Sequence, residues 1–335
     1  MAIFLALGLI IYIATVLDIL QTTLSMQGGG WLTSRYSHLF WKLFLFVSGG
    51  NGKSKILSHA GYILLISIVI IWVFLLWISF VLILISQPGI IVNSSTQIPA
   101  DLLEIIYYSG YTLSTLGMGD FIAAGNGGRI LTSFYSFTGL ILLTMSVTYF
   151  IPVLSAVIEQ RKLGIRLSIL GSSPEKIILN FWDGKSFQSF TSKVDELSGS
   201  IIKYSQQHRA YPVIHYFHNH KEKNAIILQL ARLYEAYLIL AFNLNDRVKP
   251  EQGDLRPLDI AFENYFEVLK EVTHINTSNE TPAYSTIQKL EELSLIDKSK
   301  GNHALDTKSG DLRKIFLTLV QQDGWTWNQV DEKKS

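Results

Sequence analysis

Three long uncharged runs dominate the hydrophobic pattern of the first half of the chain. They cover Met1 to Leu17, Ala60 to Ser86 and Ile130 to Ile158. At about 1.5 Å of rise per helical residue, the second run is roughly 40 Å long, which is enough to cross a bilayer with some tilt. The pattern predicts three transmembrane helices, within residues 1–26, 60–86 and 129–158. A cleaved signal peptide is the alternative for the first run, but no basic residue precedes the apolar stretch, so we interpret it as a retained helix.

The pattern changes after Glu159, where apolar and charged positions alternate at helical spacing. This predicts an α-helical cytoplasmic domain over residues 165–322 and a flexible tail over residues 323–335. Within the domain, Ala225 to Leu244 is strongly apolar, but Arg232 and Glu235 interrupt it. We interpret this stretch as a core helix of the domain, with a fourth membrane span as the alternative.

The distribution of charge orients the spans. Residues 27–58 form a linker that contains Arg35, Lys42, Lys53 and Lys55 and no acid. Positive residues accumulate on the cytoplasmic side, so this linker is expected in the cytoplasm, with the N-terminus outside and the C-terminal domain inside. The aromatic and basic stretch 32–47 is typical of a helix lying on the membrane surface. A prokaryotic plasma (inner) membrane is the expected location.

Asp18 lies near the predicted cytoplasmic end of the first span. An acid within a membrane helix is a functional candidate by default. Because of its position, we interpret Asp18 as an interfacial residue paired with a lysine of the linker.

The segment between the second and third spans is too short and too irregular to be a simple loop. Pro99 and Asp101 suit a helix start, and an apolar stretch follows that is far too short to span the membrane. We predict a re-entrant helix over residues 100–113. The glycine-rich stretch Thr115 to Asp120 then follows, which cannot be regular helix.

Non-helical backbone at membrane depth is tolerated where it is buried in protein or lines a watery pore. Gly117 and Gly119 can reach backbone conformations that other residues avoid. Such a strand can turn its carbonyl groups toward a passing cation and replace the water shell of the ion. The backbone carbonyls expected to bind the ion belong to Thr115, Leu116, Gly117, Met118 and Gly119. The alternative is a glycine-rich extracellular turn with no role.

The stretch Thr115 to Asp120 reads Thr-Leu-Gly-Met-Gly-Asp, and it resembles the filter of the potassium channel superfamily, Thr-Val/Ile-Gly-Tyr/Phe-Gly-Asp. The resemblance covers roughly Gly61 to Val157, a pore domain expected at residues 59–160, and it matches the class with two helices and a pore loop. It implies a homotetramer in a lipid bilayer that conducts K⁺ passively, with K⁺ in the filter and no other cofactor. The filter supports that it implies are Asp120, Tyr107, Tyr108 and Thr112. For Asp120, a solvated acid at the mouth is the alternative.

Met118 departs from the family pattern, because relatives carry Tyr or Phe at this position. Methionine is flexible and fills gaps without fixing them. We expect Tyr107 and Tyr108 to form a looser cuff around Met118. A weakly selective channel for Na⁺ and K⁺ is therefore the alternative within the channel class, and a non-conducting membrane scaffold or receptor is the alternative outside it.

The third span carries the candidates for a gate. Gly139 either bends this helix or packs closely against a neighbour, and Pro152 is expected to kink it. A hydrophobic constriction that closes by dewetting is expected at Ile151, Leu154 and Ile158. No span has the regularly spaced basic residues of a voltage sensor.

The remaining composition narrows the function. There is no cysteine, the net charge is +1, and no basic stripe stands out, so we expect no thiol chemistry and no nucleic-acid partner. The sequence contains no combination of a nucleophile and a general base that would suggest an enzyme. One histidine cluster is a candidate metal or pH-sensitive site, although a structural face is our preferred interpretation: His208, His215, His218 and His220. The ligand or partner of the cytoplasmic domain is open.

Overall fold

A computed structural model describes residues 1–25, 28–272, 280–297 and 307–331. These residues form an almost entirely helical chain, and the predicted class, an all-α membrane protein, is confirmed. The chain divides into two compact units. The first comprises Met1–Ser25, Gly29–Ser37 and Ile63–Val153, and the second comprises His38–Tyr62 and the described residues from Leu154 onward.

The first seven elements supply the first unit and parts of the second. They are α1 (Ala2–Leu24), α2 (Trp31–Val47), α3 (Leu57–Ile85), β1 (Ile91–Asn93), α4 (Leu102–Leu113), β2 (Phe121–Ala123) and α5 (Gly125–Leu170).

The elements after α5 all belong to the second unit. They are α6 (Pro174–Phe181), α7 (Gln188–Ala210), 3₁₀ turns at Pro212–Tyr216 and Glu222–Asn224, α8 (Ile226–Leu238) with a π-helical end (Ile239–Asn243), α9 (Gln252–Val272), α10 (Gln288–Glu292), α11 (Thr307–Gln322) and a 3₁₀ turn at Trp327–Gln329.

Four helical segments of the described chain are long and apolar enough to cross a membrane. Only 22%, 39% and 28% of the most apolar window is buried inside the protein for α1, α3 and α5, so these helices expose much apolar surface. In contrast, 83% of the window is buried for the segment Ile226–Asn243. It forms a core helix of the second unit, where Glu235 pairs with Arg313 at 2.6 Å.

Helix α1 belongs to the same unit as α4 and the strand pair and is not a separate unit. Its Gly8 lies so close to Ile83 and Ser79 of α3 that an added Cβ would overlap them. The hydroxyl groups of Tyr12 and Thr138 lie 3.0 Å apart and join α1 to α5. Small residues and interhelical hydrogen bonds are the usual means by which membrane helices associate.

Helix α5 is longer than the sequence predicts. It continues past residue 158 to Leu170, with Pro152 inside it. The charged residues after Ile158 end the apolar run but not the helix, since Lys, Arg and Glu are good helix formers. The first strong break is at Gly171, whose neighbour Ser173 caps α6 through the amide of Lys176.

The predicted lysine partner of Asp18 is wrong. Asp18 is fully buried and accepts hydrogen bonds from the backbone amides of Leu32 and Thr33 at 2.9 and 3.2 Å and from Thr33 Oγ1 at 2.5 Å. Trp72 Nε1 of α3 donates a further bond at 2.9 Å. The carboxylate therefore caps the first turn of α2, where free amides and the helix dipole favour a negative charge.

The predicted flexible tail is also wrong for residues 323–331. Trp325, Trp327 and Val330 are buried. The buried guanidinium of Arg232 donates to the carbonyls of Gln329 and Val330 at 2.6 and 3.3 Å. Trp325 and Trp327 favour docking of this segment, because their apolar surface is costly to leave in water.

Candidate ion filter and pore

The predicted re-entrant helix is α4, and its start is held by a reciprocal cap. Glu104 N donates to Asp101 Oδ1 at 2.9 Å, and Asp101 N donates to Glu104 Oε2 at 2.7 Å. This capping box satisfies two amides that a helix start leaves free. The negative charges also complement the positive end of the helix dipole, so the opposite, negative end lies at Leu113, next to the predicted filter.

The backbone after α4 alternates in handedness. Thr115, Gly117 and Gly119 have φ of +60°, +59° and +82°, while Leu116 and Met118 between them do not have positive φ. Positive φ is uncommon for a β-branched residue, so Thr115 is a strained position of the kind that occurs at functional sites. Alternating left- and right-handed residues turn successive carbonyl groups to one side of the strand.

Two backbone amides of the segment 115–119 form hydrogen bonds within the described residues, whereas its backbone carbonyls do not. The amides of Thr115 and Leu116 donate back to the carbonyls of Thr112 and Tyr111, at 3.0 and 2.9 Å. Within the described residues, the carbonyls of residues 115–119 accept no hydrogen bond. An array of free carbonyls at the end of a membrane helix is suited to replacing the hydration of a cation.

A tyrosine that the sequence analysis did not select holds the far end of this segment. Tyr111 Oη donates to the carbonyl of Phe121 at 2.7 Å, in a buried setting. The ring of Tyr111 packs edge-on against Tyr107, with ring centroids 5.1 Å apart. The signal in the sequence was the spacing of four between Tyr107 and Tyr111, which places both rings on one helix face.

The strand pair β1–β2 fixes the exit from the filter segment. It is antiparallel, with Ile91 opposite Ala123 and Asn93 opposite Phe121. Ser94 N donates to the carbonyl of Asp120 at 2.8 Å. The segment from Thr115 to Asp120 is therefore anchored at both ends, by α4 and by this small sheet.

The expected cuff of Tyr107 and Tyr108 around Met118 is wrong for Tyr108 within the subunit. Tyr108 is buried, and its hydroxyl lies 2.6 Å from Thr132 Oγ1 of α5. One residue along a helix rotates a side chain by about 100°, so Tyr108 faces α5 while Tyr107 faces the filter. Thr112 is also buried. The Met118 side chain is 58% exposed.

Helix α3 braces α4 from its other side. Trp77 Nε1 donates to the carbonyl of Ile106 at 3.1 Å and to Ser109 Oγ at 2.9 Å. The rings of Phe80 and Tyr135 stack with centroids 4.0 Å apart, which joins α3 to α5. These contacts leave α4 little freedom to rotate.

The gate candidates on α5 fall into two groups. Gly139 lies against the last turn of α4, and a Cβ at this position would overlap the carbonyl oxygen of Leu113. Close packing is therefore the observed role of Gly139. Ile151, Leu154 and Ile158 are exposed, and their spacing of three and four residues puts them on one face of the helix.

The histidine cluster separates into different environments. The rings of His208 and His215 lie 5.4 Å apart, and neither nitrogen of His208 nor Nδ1 of His215 has a hydrogen-bond partner in the described chain. Burial lowers the pKa of His208 to about 3, with a smaller contribution from His215. Both rings are therefore uncharged at neutral pH.

The other two histidines bind partners far away in the sequence. His218 Nδ1 lies 2.9 Å from Asp323 Oδ1, and its Nε2 lies 2.7 Å from the carbonyl of Gly52. His220 Nδ1 lies 2.8 Å from Ser58 Oγ. In the described ranges, no group of three or more His, Cys, Asp or Glu side chains is placed to hold a metal ion.

Comparisons with known proteins support a channel. A family model described as an ion channel matches residues 64–156, which covers most of α3, all of α4, the filter segment and α5 past Pro152. The uncharacterized membrane protein YdjJ of Bacillus subtilis is 30% identical over 322 residues, which are 96% of this chain and 94% of that protein. No solved structure matches.

Proposed function

The chain belongs to an ion-channel family of membrane proteins, and on that premise we propose that it is a potassium-type cation channel that conducts K⁺ passively. The observation that carries the proposal is the alternation of handedness at Thr115, Gly117 and Gly119, next to free carbonyls. These carbonyls and the hydroxyl of Thr115 would replace the water molecules around K⁺. No further cofactor is required for this function.

The active assembly in this proposal is a homotetramer. One chain supplies one filter strand, and a ring of carbonyls around an ion needs several strands arranged with closed cyclic symmetry. Apolar surface on α1, α3 and α5 is available for lipid and for neighbouring subunits. In the tetramer, the negative ends of four copies of α4 would face the ion path and favour cations.

The basic linker supports an orientation in the plasma (inner) membrane of a prokaryotic cell with the N-terminus outside and the second unit in the cytoplasm. Ile151, Leu154 and Ile158 would then line the cytoplasmic end of the pore. A ring of such residues closes a pore by dewetting. Because α5 continues from the pore into the second unit, the helical cytoplasmic domain is in position to regulate this gate.

A weakly selective channel for Na⁺ and K⁺ is the second candidate, and the exposed Met118 favours it. The position has no aromatic ring to brace the filter, and Tyr108 is committed to Thr132. A filter that flexes adapts to Na⁺ as well as to K⁺.

Flux through the purified full-length protein in liposomes tests the proposal. We expect K⁺ flux that barium blocks and that Gly117→Ala abolishes, because φ of +59° is costly for any residue with a Cβ. Gly127→Ala is the matched control, since a Cβ at this glycine of α5 meets open space. Absence of flux in every condition would overturn the channel proposal. Equal permeability to Na⁺ and K⁺ would favour the second candidate.

A further inference from the structure

The second unit contains a cavity of about 290 Å³. Small-molecule sites in proteins are typically roughly 300–1,000 Å³, so this cavity suits a small metabolite and not a dinucleotide. Helix α5 contributes three side chains to its wall, and the chain between α7 and α8 contributes most of the rest. The cavity is not part of the filter or of the proposed gate.

Three residues that line the cavity carry buried polar atoms without partners. Gln160 Oε1, Asn224 Oδ1 and His215 Nδ1 are buried and have no hydrogen-bond partner among the described residues. The opposite ends of the two amides are engaged only weakly, with Tyr204 Oη and Asn219 Oδ1 at 3.5 Å each. Buried polar atoms are nearly always satisfied in folded proteins, so an unpaired set that faces a cavity indicates a bound polar molecule.

Two cationic side chains line the cavity as well. Arg161 and Lys221 are exposed, and neither forms an ion pair with any residue that the structure describes. Burial lowers the pKa of His220, another residue of the lining, and the charges of Lys221 and Lys55 lower it further. Arg161 and Lys221 could therefore pair with a negatively charged group of a ligand.

The lining contains one acid, and two neighbouring side chains hold it. Asp323 Oδ1 is engaged by His218 Nδ1 at 2.9 Å, and Asp323 Oδ2 accepts from Trp325 Nε1 at 3.0 Å. The lining also includes the apolar side chains of Val157, Ile226 and Ile227. A molecule that matches these groups would combine a negative group, hydrogen-bond donors and a short carbon chain.

We propose that this cavity is a binding site for a small organic anion with hydroxyl groups, of the polyol-phosphate class. The phosphate contacts Arg161 and Lys221, and the hydroxyl groups donate to Gln160 Oε1 and Asn224 Oδ1. Val157, Gln160 and Arg161 belong to the same turn of α5 as Ile158. On the proposed channel function, binding therefore acts on the gate; the binding site itself does not depend on that function.

Titration of the full-length protein in detergent with glycerol 3-phosphate, inorganic phosphate and glycerol tests the site by calorimetry. We expect saturable binding of glycerol 3-phosphate, at least about tenfold weaker binding of inorganic phosphate, and no binding of glycerol. No saturable binding of glycerol 3-phosphate, or equal affinity for inorganic phosphate, would overturn the proposal.

Two variants separate a binding role from a structural one. Arg161→Gln is expected to weaken binding of glycerol 3-phosphate at least about tenfold, whereas Lys162→Gln, one residue away and paired with Glu159, leaves it unchanged. Gln160→Met removes a buried unpaired oxygen at similar volume, so the free protein should be at least as heat-stable as the wild type while its binding is weakened. Unchanged binding in both Arg161→Gln and Gln160→Met would refute the site.

The effect on the channel is measured separately, as K⁺ flux in liposomes with and without glycerol 3-phosphate. A change in flux in the wild type that Arg161→Gln removes supports regulation through this cavity. If glycerol 3-phosphate binds but no flux occurs under any condition, the channel proposal fails and the binding site remains. If flux occurs and calorimetry detects no binding, the cavity proposal fails and the channel remains.

Discussion

Gly139 of α5 and Leu113 of α4 are in such close contact that no side chain fits between them. A Cβ on Gly139 would overlap the carbonyl oxygen of Leu113, the residue at which the re-entrant helix ends. The contact ties α5 to the end of α4, next to the predicted filter segment Thr115–Asp120. It therefore makes Gly139 a packing position, at which a larger residue disturbs both elements.

Gly139→Ala is expected to destabilise the protein, because overpacking of a tight contact costs roughly 1–3 kcal/mol. Gly127→Ala in the same helix meets open space and should be neutral or stabilising, since alanine is the better helix former. Thermal unfolding of both variants in detergent measures the difference. If Gly139→Ala unfolds at the same temperature as Gly127→Ala and changes only the open probability, the hinge interpretation is correct instead.

Tyr111→Phe is expected to reduce the preference for K⁺ over Na⁺. The variant removes the hydrogen bond to the Phe121 carbonyl, which anchors the end of the filter segment. A typical hydrogen bond contributes about 0.5–1.5 kcal/mol, so the permeability ratio should fall by up to about tenfold. Reversal potentials in mixed solutions measure the ratio. Tyr108→Phe is the control, because the Tyr108 hydroxyl binds Thr132 and not the filter; an equal fall in both variants would contradict the assignment.

Met118→Tyr is expected to increase the preference for K⁺. An aromatic ring at this exposed position adds rigid apolar surface, where methionine stays flexible. The same reversal potentials test this expectation, with Met118→Leu as a control of similar size. A ratio in Met118→Tyr no higher than in Met118→Leu would show that the ring at this position does not set selectivity.

Acid should destabilise the second unit through His208. Burial lowers the pKa of His208 to about 3, while an unfolded histidine has a pKa of about 6.5. Between these values the unfolded chain binds more protons, so the free energy of unfolding falls as the pH drops below about 6.5, by at most about 1.4 kcal/mol per pH unit from this residue. His208→Phe preserves the stacking on Tyr204 and should flatten the acid limb of unfolding temperature against pH. The exposed His59→Gln should leave that limb as in the wild type, and a limb unchanged by His208→Phe would refute the assignment.

His218 should act in the opposite direction. Burial alone would lower its pKa, but Asp323 and the Gly52 carbonyl raise the pKa above the ordinary value. The stabilisation by protonated His218 is complete at pH values below about 6.5, the pKa of histidine in an unfolded chain. It is lost as the pH rises through the higher pKa of His218 in the folded protein. His218→Gln should therefore lower the unfolding temperature more at pH 6 than at pH 9. A loss of equal size at both pH values would mean that His218 acts only through packing.

The three long apolar helices α1, α3 and α5, the short helix α4 and the irregular segment after it could all be predicted from the sequence. Each depends on a local property: the length of an uncharged run, a proline and an acid at a helix start, and the conformational freedom of Gly117 and Gly119. The core position of Ile226–Asn243 was also visible, because Arg232 and Glu235 interrupt its apolar pattern. These features need no knowledge of what the segment contacts.

Only the tertiary structure decided which distant groups meet. Asp18 binds the amides of Leu32 and Thr33 and the ring of Trp72 instead of the expected lysine. The Tyr111 hydroxyl, which the sequence analysis did not select, binds the Phe121 carbonyl just after the predicted filter segment. Residues 323–331 dock instead of forming a tail. Partners separated by tens or hundreds of residues leave no periodic trace in the sequence, because hydrogen bonding and close packing depend on distances that the whole fold sets. The cavity beside Gln160 could not be predicted for the same reason, because it exists only where α5 meets the chain before α8.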